Sequence, residues 1–281
     1  MNKLKLNYTS LSFLPILVCI PLGYQLINNI HFGGFKLFQE FLISAFNPKI
    51  DNEIIITVIK RLNETILIGF FSWLVSIIFG AIFGIISSNI FYKIFNIPNF
   101  FYRIIRFFLT IIRSIHEVVW GILLMQIYGI NFSIGIIAIC IPYIAVNSKV
   151  FAEQLETIDY KSFESINQIN APKFSSLLTL IWNPIINTFK NFGLYRLECS
   201  IRSTVILGLF GIGGIGTSNF LSFQTLNFRE LWTYLWSLAI LIIISGLIFK
   251  KIKFNTTNKI LSIFFIAVFF ITILFSFNFT D

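Results

Sequence analysis

Long apolar runs alternate with short polar segments along almost the whole chain. A helix that crosses the hydrocarbon core of a membrane needs about 20 mostly apolar residues, and several runs are that long. They lie near residues 11–30, 64–89, 107–128, 132–152, 181–209, 231–249 and 260–277. The pattern therefore predicts an all-α polytopic membrane protein with about 6–7 transmembrane helices.

The segments between the runs predict the orientation of the chain. Segment 31–62 carries too many charges to span a membrane, and we expect it outside, partly as an interfacial helix. The first run follows Lys3 and Lys5 but lacks a small-x-small cleavage site, which predicts a retained helix with its N-terminus inside. Most lysines and arginines of the loops then fall on the cytoplasmic side, as the positive-inside rule requires.

Composition excludes a soluble domain held by a single anchor. The 281 residues are 56% hydrophobic and 12% charged, with a mean hydropathy of +0.84. Soluble domains contain about 25% charged residues. The net charge of +9 is mostly spread over short loops, which indicates a lipid bilayer and no nucleic acid as the partner.

One polar segment stands between two of the apolar runs, and we call residues 153–173 the polar island. It contains Glu153, Glu156, Asp159 and Glu164, which are four of the 12 acidic residues of the chain. The predicted orientation places the polar island in the cytoplasm. A charged loop of this kind either contacts a soluble partner or is simply solvated.

Two pairs of opposite charges lie inside predicted spans. Arg113 and Glu117 are four residues apart, and so are Glu198 and Arg202. This spacing brings each pair together on one face of a helix and lowers the cost of burial. The pairs either line a pathway suited to an anion or are intrahelical salt bridges that fix the rotation of their helices.

Glycines give two further signals. Gly80 and Gly84 have the small-xxx-small spacing that allows close helix packing. The run GIGGIG spells GxGxxG, but an apolar helix precedes it and no βαβ unit surrounds it, so we predict a tight turn with positive φ angles. The glycines of that turn are Gly211, Gly213, Gly214 and Gly216.

No motif for covalent chemistry is present. The dipeptide Gly-Lys is absent, so the chain has no P-loop, and it has no GxSxG elbow. His116 and Glu117 begin an HExxH pattern, but Trp120 stands where the second histidine belongs. We therefore expect no enzyme activity, no cofactor and no metal site.

Three motifs resemble the permease subunits of ATP-binding-cassette importers with the type I, methionine-permease-like fold, in particular the phosphonate permeases. RSIHEVVW at 113–120 resembles that family's Arg-x-x-Pro-Glu segment, with His116 in place of a proline, which is expected to remove a kink. LYRLECSIRSTVILGLFGIGGIG at 194–216 matches the phosphonate group's Tyr-Arg-x-Glu-x-x-x-Arg-Ser motif and the glycines that follow it.

The third motif lies in the polar island. FAEQLETID and FESINQINAPKF resemble the EAA loop, which opens a short cytoplasmic helix pair in that family. Glu164 then matches the motif's glutamate and Asn170, followed by Ala171, its glycine; asparagine tolerates the left-handed conformation. The Leu-Pro dipeptide that follows later in the family motif aligns with Trp182 and Asn183. Pro184 therefore lies one place after the expected proline.

The resemblance implies a fold, partners and site residues. A permease core at 63–249 would follow an N-terminal helix and external loop at 1–62 and precede an additional helix at 250–281. The permease would form a dimer in a bacterial plasma membrane, with a cytoplasmic ATPase on the EAA loop and a solute-binding protein outside. Expected loop contacts are Glu156, Asp159, Glu164, Asn170 and Ala171.

The implied function is import of a small phosphorus oxyanion, such as phosphonate, phosphite or phosphate. Methionine or another small solute is the first alternative cargo. A secondary transporter is a second alternative, but it predicts an inverted repeat, which the sequence does not display. An intramembrane enzyme lacks a catalytic constellation.

Overall fold

The computed structural model describes residues 19–21, 23–25, 33–158 and 172–254. Contacts divide the chain into two compact units, Met1–Pro48 and Lys49–Asp281. In the first unit, α1 spans Gly33–Ser44. The described helices of the second unit are α2 (Asn52–Ile86), α3 (Asn89–Phe95), α4 (Phe100–Ser114), α5 (Glu117–Tyr128), α6 (Phe132–Glu156), α7 (Lys173–Thr188), α8 (Leu194–Gly208), α9 (Ile215–Gln224) and α10 (Phe228–Phe254).

The described part of the chain is helical, as the apolar pattern predicts. Within it, α2, α6 and residues 228–247 of α10 are long and apolar enough to cross a membrane, and the bent pair α4 and α5 adds a fourth candidate. The predicted span near 260–277 lies outside the described residues, and so does most of the span near 11–30.

Helix α2 begins earlier than the sequence pattern predicts. Its 35 residues measure about 52 Å at 1.5 Å per residue, which exceeds the hydrocarbon thickness of about 30 Å. The segment 52–62 therefore continues the helix beyond the hydrocarbon core, and the predicted domain boundary at residue 62 falls inside α2. Charged residues belong in this first part because it reaches water.

The predicted span at 107–128 is broken rather than one straight helix. Helix α4 ends at Ser114, α5 begins at Glu117, and the two axes differ by 85°. His116 has extended backbone angles and caps α5, because its Nδ1 accepts a hydrogen bond from the N–H of Val118 at 3.3 Å. The expectation that His116 removes the kink is therefore wrong, since a capping side chain breaks the helix without a proline.

Helix α6 packs along α2 through the small residues that the sequence singles out. A Cβ at Gly80 would lie 2.4 Å from Cβ of Asn147, and one at Gly84 would lie 2.5 Å from Cβ of Phe151. Asn147 also donates a hydrogen bond to Ser76 Oγ at 3.3 Å. The predicted role of this glycine pair in helix packing is confirmed.

The predicted span at 181–209 is built from three helical pieces. Helices α7 and α8 contain 16 and 15 residues, and the π-helix Phe189–Gly193 joins them. The indole N–H of Trp73 donates to the carbonyl of Gly193 at 2.6 Å, and Ser200 Oγ donates to the carbonyl of Gly69 at 2.6 Å. These contacts hold the π-helix and α8 against α2.

Substitution of Gly84 tests the contact between α2 and α6. Gly84→Leu should lower the thermal stability of the purified chain in detergent, because overpacking a tight contact costs about 1–3 kcal/mol. Gly246→Leu is the matched control, since a Cβ at Gly246 has no atom within 4 Å. Equal melting temperatures for the two variants would contradict the packing described here.

Candidate functional site

The break between α4 and α5 opens a cleft against α6 and α8, which we call the central cleft. Its volume is about 330 Å³. It is lined by polar and charged residues, with apolar residues between them. The residues that carry its chemistry are Arg113, His116, Glu117, Tyr143, Arg196 and Cys199.

A chain of hydrogen bonds crosses the central cleft from α6 to α5. Ser203 Oγ donates to Glu117 Oε1 at 2.5 Å, and the Tyr143 hydroxyl lies 2.7 Å from Ser203 Oγ. A serine hydroxyl carries one proton, which here is committed to Glu117, so Tyr143 is the donor to Ser203. The side chain of Glu117 is 12% exposed, and this chain satisfies it inside the bundle.

Arg196 covers the same tyrosine from α8. Its guanidinium carbon lies 3.7 Å from the centroid of the Tyr143 ring and 5.8 Å from that of Phe192. Its Nε and Nη2 atoms are buried and have no hydrogen-bond partner in the described part of the chain. A buried guanidinium with unused donors is costly, and Arg196 retains two donors that no acceptor in the described residues satisfies.

His116 contacts both Glu117 and the first turn of α5. Its Nδ1 lies 3.5 Å from Glu117 Oε2, and the same atom accepts the N–H of Val118. The imidazole therefore lies at the bend, beside the carboxylate that begins α5.

Arg113 and Glu117 do not form the intrahelical pair that their spacing predicts. The two residues lie on either side of the 85° bend. Arg113 donates to Thr110 Oγ1 at 3.2 Å, whereas Glu117 accepts from Ser203. The (i, i+4) rule fails here because it holds only within a continuous helix. Both side chains still line the central cleft.

Glu198 and Arg202 form the predicted ion pair on α8. Arg196 and Glu198 are two residues apart, which is about 200° around a helix, so this pair occupies a different face of α8 from Arg196. Neither Glu198 nor Arg202 lines the central cleft, and the Arg202 side chain is 54% exposed. The sequence brings these charges together but not into the cleft.

The glycine run forms a turn between α8 and α9. Gly211, Gly213 and Gly214 have φ angles of 91°, 117° and 76°. The N–H of Gly214 donates to Glu64 Oε2 at 3.1 Å. Gly216 packs against α8, where a Cβ would meet the carbonyl oxygen of Val205 at 2.2 Å.

Glu64 fixes this turn to α2. It is 7% exposed and also accepts a hydrogen bond from Arg61 Nη1 at 2.8 Å. Thr65 Oγ1 accepts the N–H of Ile215 at 2.9 Å. The sequence pattern does not indicate this role of Glu64 and Thr65, which lie 150 residues before Gly214 and Ile215.

Only the first part of the polar island lies within the described residues. Glu156 Oε1 accepts Arg106 Nη2 at 2.5 Å and the N–H of Asn89 at 3.2 Å. Arg106 Nε donates in turn to the carbonyl of Ser87 at 2.8 Å. Asp159, Glu164, Asn170 and Ala171 lie outside the described residues.

Comparisons of sequence and structure identify relatives. No protein-family model matches the chain. The chain is 26% identical over 129 residues to the phosphite transport system permease protein PtxC of Stutzerimonas stutzeri, a match that covers 46% of this chain and 47% of that one. It is 21% identical over 218 residues to the putative phosphite transport system permease protein HtxC of the same organism, covering 77% and 74%.

The fold has a solved counterpart. A structure of the MetNI methionine ABC transporter in inward-facing conformations covers 73% of this chain and 98% of the matched chain, with a TM-score of 0.64 and 16% identity. This likeness defines the fold alone. The chain is related to phosphite and phosphonate permeases of ABC transporters, and it spans about half the length (47%) of PtxC.

Substitutions of Tyr143 test the central cleft. Tyr143→Phe removes one hydrogen bond and should cost about 0.5–1.5 kcal/mol of stability. Tyr143→Leu also removes the ring beneath Arg196 and should cost about 2 kcal/mol more. The free energies of unfolding of the wild-type chain and of both variants, measured in detergent, give the order of these losses. Tyr128, which is 72% exposed, is the control for the same two substitutions, and equal losses for Phe and Leu at 143 would refute the stacking.

Proposed function

We propose that this relative of the phosphite and phosphonate permeases, which has a methionine-permease fold, is the membrane-spanning subunit of an ATP-binding-cassette importer. It carries a small phosphorus oxyanion, such as phosphonate, phosphite or phosphate, across a bacterial plasma membrane. The observation that carries the proposal is the central cleft, where Arg113 and Arg196 face a cavity at the break between two membrane helices.

The electrostatics of the central cleft favour an anion. Glu117 already accepts a hydrogen bond from Ser203, whereas Arg196 has two buried nitrogens without partners in the described residues. Arg113 donates to the neutral hydroxyl of Thr110. Hydrogen bonds between guanidinium groups and phosphorus oxyanions are short and strong, and a low-dielectric surrounding strengthens them further.

The energy for import comes from a separate ATPase in this proposal. The chain has no P-loop, and the polar island offers Asp159, Glu164, Asn170 and Ala171 as the contacts of a coupling loop. The ion pair between Glu156 and Arg106, together with the bond from Arg106 to Ser87, supports this role. These two contacts connect the start of the polar island, at the end of α6, to α4 and to the end of α2.

A second copy of the permease covers the exposed face of α8. Glu198 and Arg202 lie on that face, and the Arg202 side chain is 54% exposed in the single chain. Charges at this depth in a membrane face a protein interior or water rather than lipid. We therefore assign the pair to the pathway between two copies, and a solute-binding protein outside delivers the cargo.

The cargo is tested by titrating the partner solute-binding protein with methylphosphonate, phosphite, phosphate and methionine. Calorimetry should give the tightest binding for one of the phosphorus oxyanions. The permease fold is shared with a methionine transporter, so methionine is the informative control. Tightest binding of methionine would contradict the proposed cargo but leave the importer class intact.

The coupling role is tested by Glu164→Lys. Charge reversal at a docking loop should weaken the complex with the ATPase, because like charges across an interface cost several kcal/mol, about 2 or more. Copurification of the ATPase and transport-linked ATP hydrolysis should both fall. Glu40→Lys, the same change in α1, is the control. If Glu164→Lys left both copurification and ATP hydrolysis unchanged, the polar island would not be the coupling loop.

A further inference from the structure

A second cavity lies between α4 and α6, and we call it the inner cavity. Its volume is about 150 Å³. Ser87, which follows the end of α2, belongs to its lining. The cavity is therefore at the end of the bundle that the positive-inside rule assigns to the cytoplasm. The other polar side chains of the lining are Arg106, Thr110, Arg113, Lys149 and Glu153.

Helix α4 turns a basic face toward this cavity. Arg103, Arg106, Thr110 and Arg113 recur at spacings of three and four residues, so they share one side of the helix. Arg106 and Arg113 line the inner cavity. Arg106 also donates to the carbonyl of Ser87 at 2.8 Å. The basic face of α4 is thus held against the end of α2 and against α6.

The opposite face of α4 is apolar. Phe100, Phe107, Phe108 and Ile111 lie on it, and all four are exposed. The helix has 15 residues and buries none of them, and its length of about 22 Å is less than the hydrocarbon thickness of about 30 Å. A helix with an arginine face and a phenylalanine face is stable at the boundary between headgroups and acyl chains.

Helix α6 supplies the open side of the inner cavity. Nζ of Lys149 lies 3.4 Å from Oε1 of Glu153, and both side chains are about half exposed. Glu156 is the last residue of α6, so Lys149 is about 10 Å from the helix end. A lysine this close to a helix end extends its ammonium to the headgroup layer. The cavity therefore opens where a phospholipid headgroup lies.

The charges of the inner cavity sum to one positive unit. Three cations of the lining, Arg106, Arg113 and Lys149, stand against Glu153 of the lining and Glu156, which pairs with Arg106.

The central cleft, which Arg113 also lines, does not change this sum. It adds Arg196 and Glu117, which carry opposite charges, and His116, which is counted as neutral. One negative charge therefore balances the set. A phosphodiester carries that single charge, whereas a phosphate monoester carries about 1.5–2 at neutral pH.

We propose that the inner cavity binds the headgroup of an anionic phospholipid from the cytoplasmic leaflet. Lys149 and Arg106 hold the phosphodiester, and the acyl chains join the lipid that covers the apolar face of α4. Basic pockets between transmembrane helices on the cytoplasmic side bind anionic headgroups in this way. The bound lipid bridges α4 and the end of α6, where the polar island begins. The inference does not depend on the cargo proposed above.

The test uses the purified importer, delipidated in detergent and mixed with equal amounts of phosphatidylglycerol and phosphatidylcholine that have identical acyl chains. Native mass spectrometry measures the ratio of the two lipids retained, and the wild type should retain more phosphatidylglycerol. Lys149→Gln should lower that ratio about fivefold, because one basic residue near the membrane surface contributes about 1 kcal/mol. Glu153→Gln removes a negative charge and should raise the ratio by a similar factor.

Lys60→Gln is the matched control. Lys60 is an exposed lysine of α2 that lines neither cavity and lies near the end predicted to be outside. Its loss should leave the lipid ratio at the wild-type value. Melting temperatures of all variants show whether a change in lipid retention follows from loss of the fold. Glu153→Gln keeps the proposal testable if Lys149→Gln does not fold, since it predicts a gain.

Three results would overturn the proposal. The first is equal retention of the two lipids by the wild type, as expected if a second copy of the chain covers this face. The second is the same lipid ratio for Lys149→Gln and Lys60→Gln. The third is release of phosphatidylglycerol by excess inorganic phosphate at constant ionic strength, which would assign the cavity to the free ion. Each result leaves the cargo titration unaffected, so the two proposals fail separately.

Discussion

Charged side chains inside a membrane are stable only when other protein groups or water take the place of their hydration, and the architecture of this chain follows from that constraint. Glu117 is satisfied through Ser203, and Ser203 through Tyr143. The Tyr143 ring then supports the guanidinium of Arg196. Three helices, α5, α6 and α8, each contribute to this cluster, so rotation of any one of them would break one of its contacts.

The break between α4 and α5 makes the cluster possible. A straight helix at 107–128 would place Arg113 and Glu117 together, and the two charges would neutralise each other. The capping side chain of His116 turns the helix by 85° instead. Glu117 bonds to Ser203 of α8, and Arg113 has no carboxylate partner among the described residues. Two further carboxylates connect elements outside the cleft: Glu64 binds the glycine turn to α2, and Glu156 binds the end of α6 to Arg106 of α4.

Much of the fold follows from sequence periodicity, but the site depends on contacts that periodicity does not contain. The apolar runs predicted α2, α6 and α10, and the Gly80 and Gly84 spacing predicted how α2 packs. The pairing of Glu198 with Arg202 was also predictable, because both lie on one unbroken helix. The bend at His116 was not predictable, because it depends on a local hydrogen bond of the capping side chain and not on the spacing of apolar residues. Arg196 belongs to the Tyr-Arg-x-Glu motif but was not predicted as a site residue, because it lacks a charged neighbour at helical spacing; a basic residue without such a neighbour in an apolar span is itself the signal.

The accessibility of Cys199 tests the central claim, which is that the cleft holds water and attracts anions. Cys199 lines the central cleft, Cys140 is buried, and Cys19 is exposed in the first unit. In a chain with Cys19→Ser and Cys140→Ala, the rates of modification by an anionic and a cationic methanethiosulfonate are measured in membranes and normalised to a free thiol. Cys199 should react and prefer the anionic reagent, and Arg113→Gln should reduce this preference. A thiol that reacts with neither reagent, or that prefers the cationic one, would contradict the central claim.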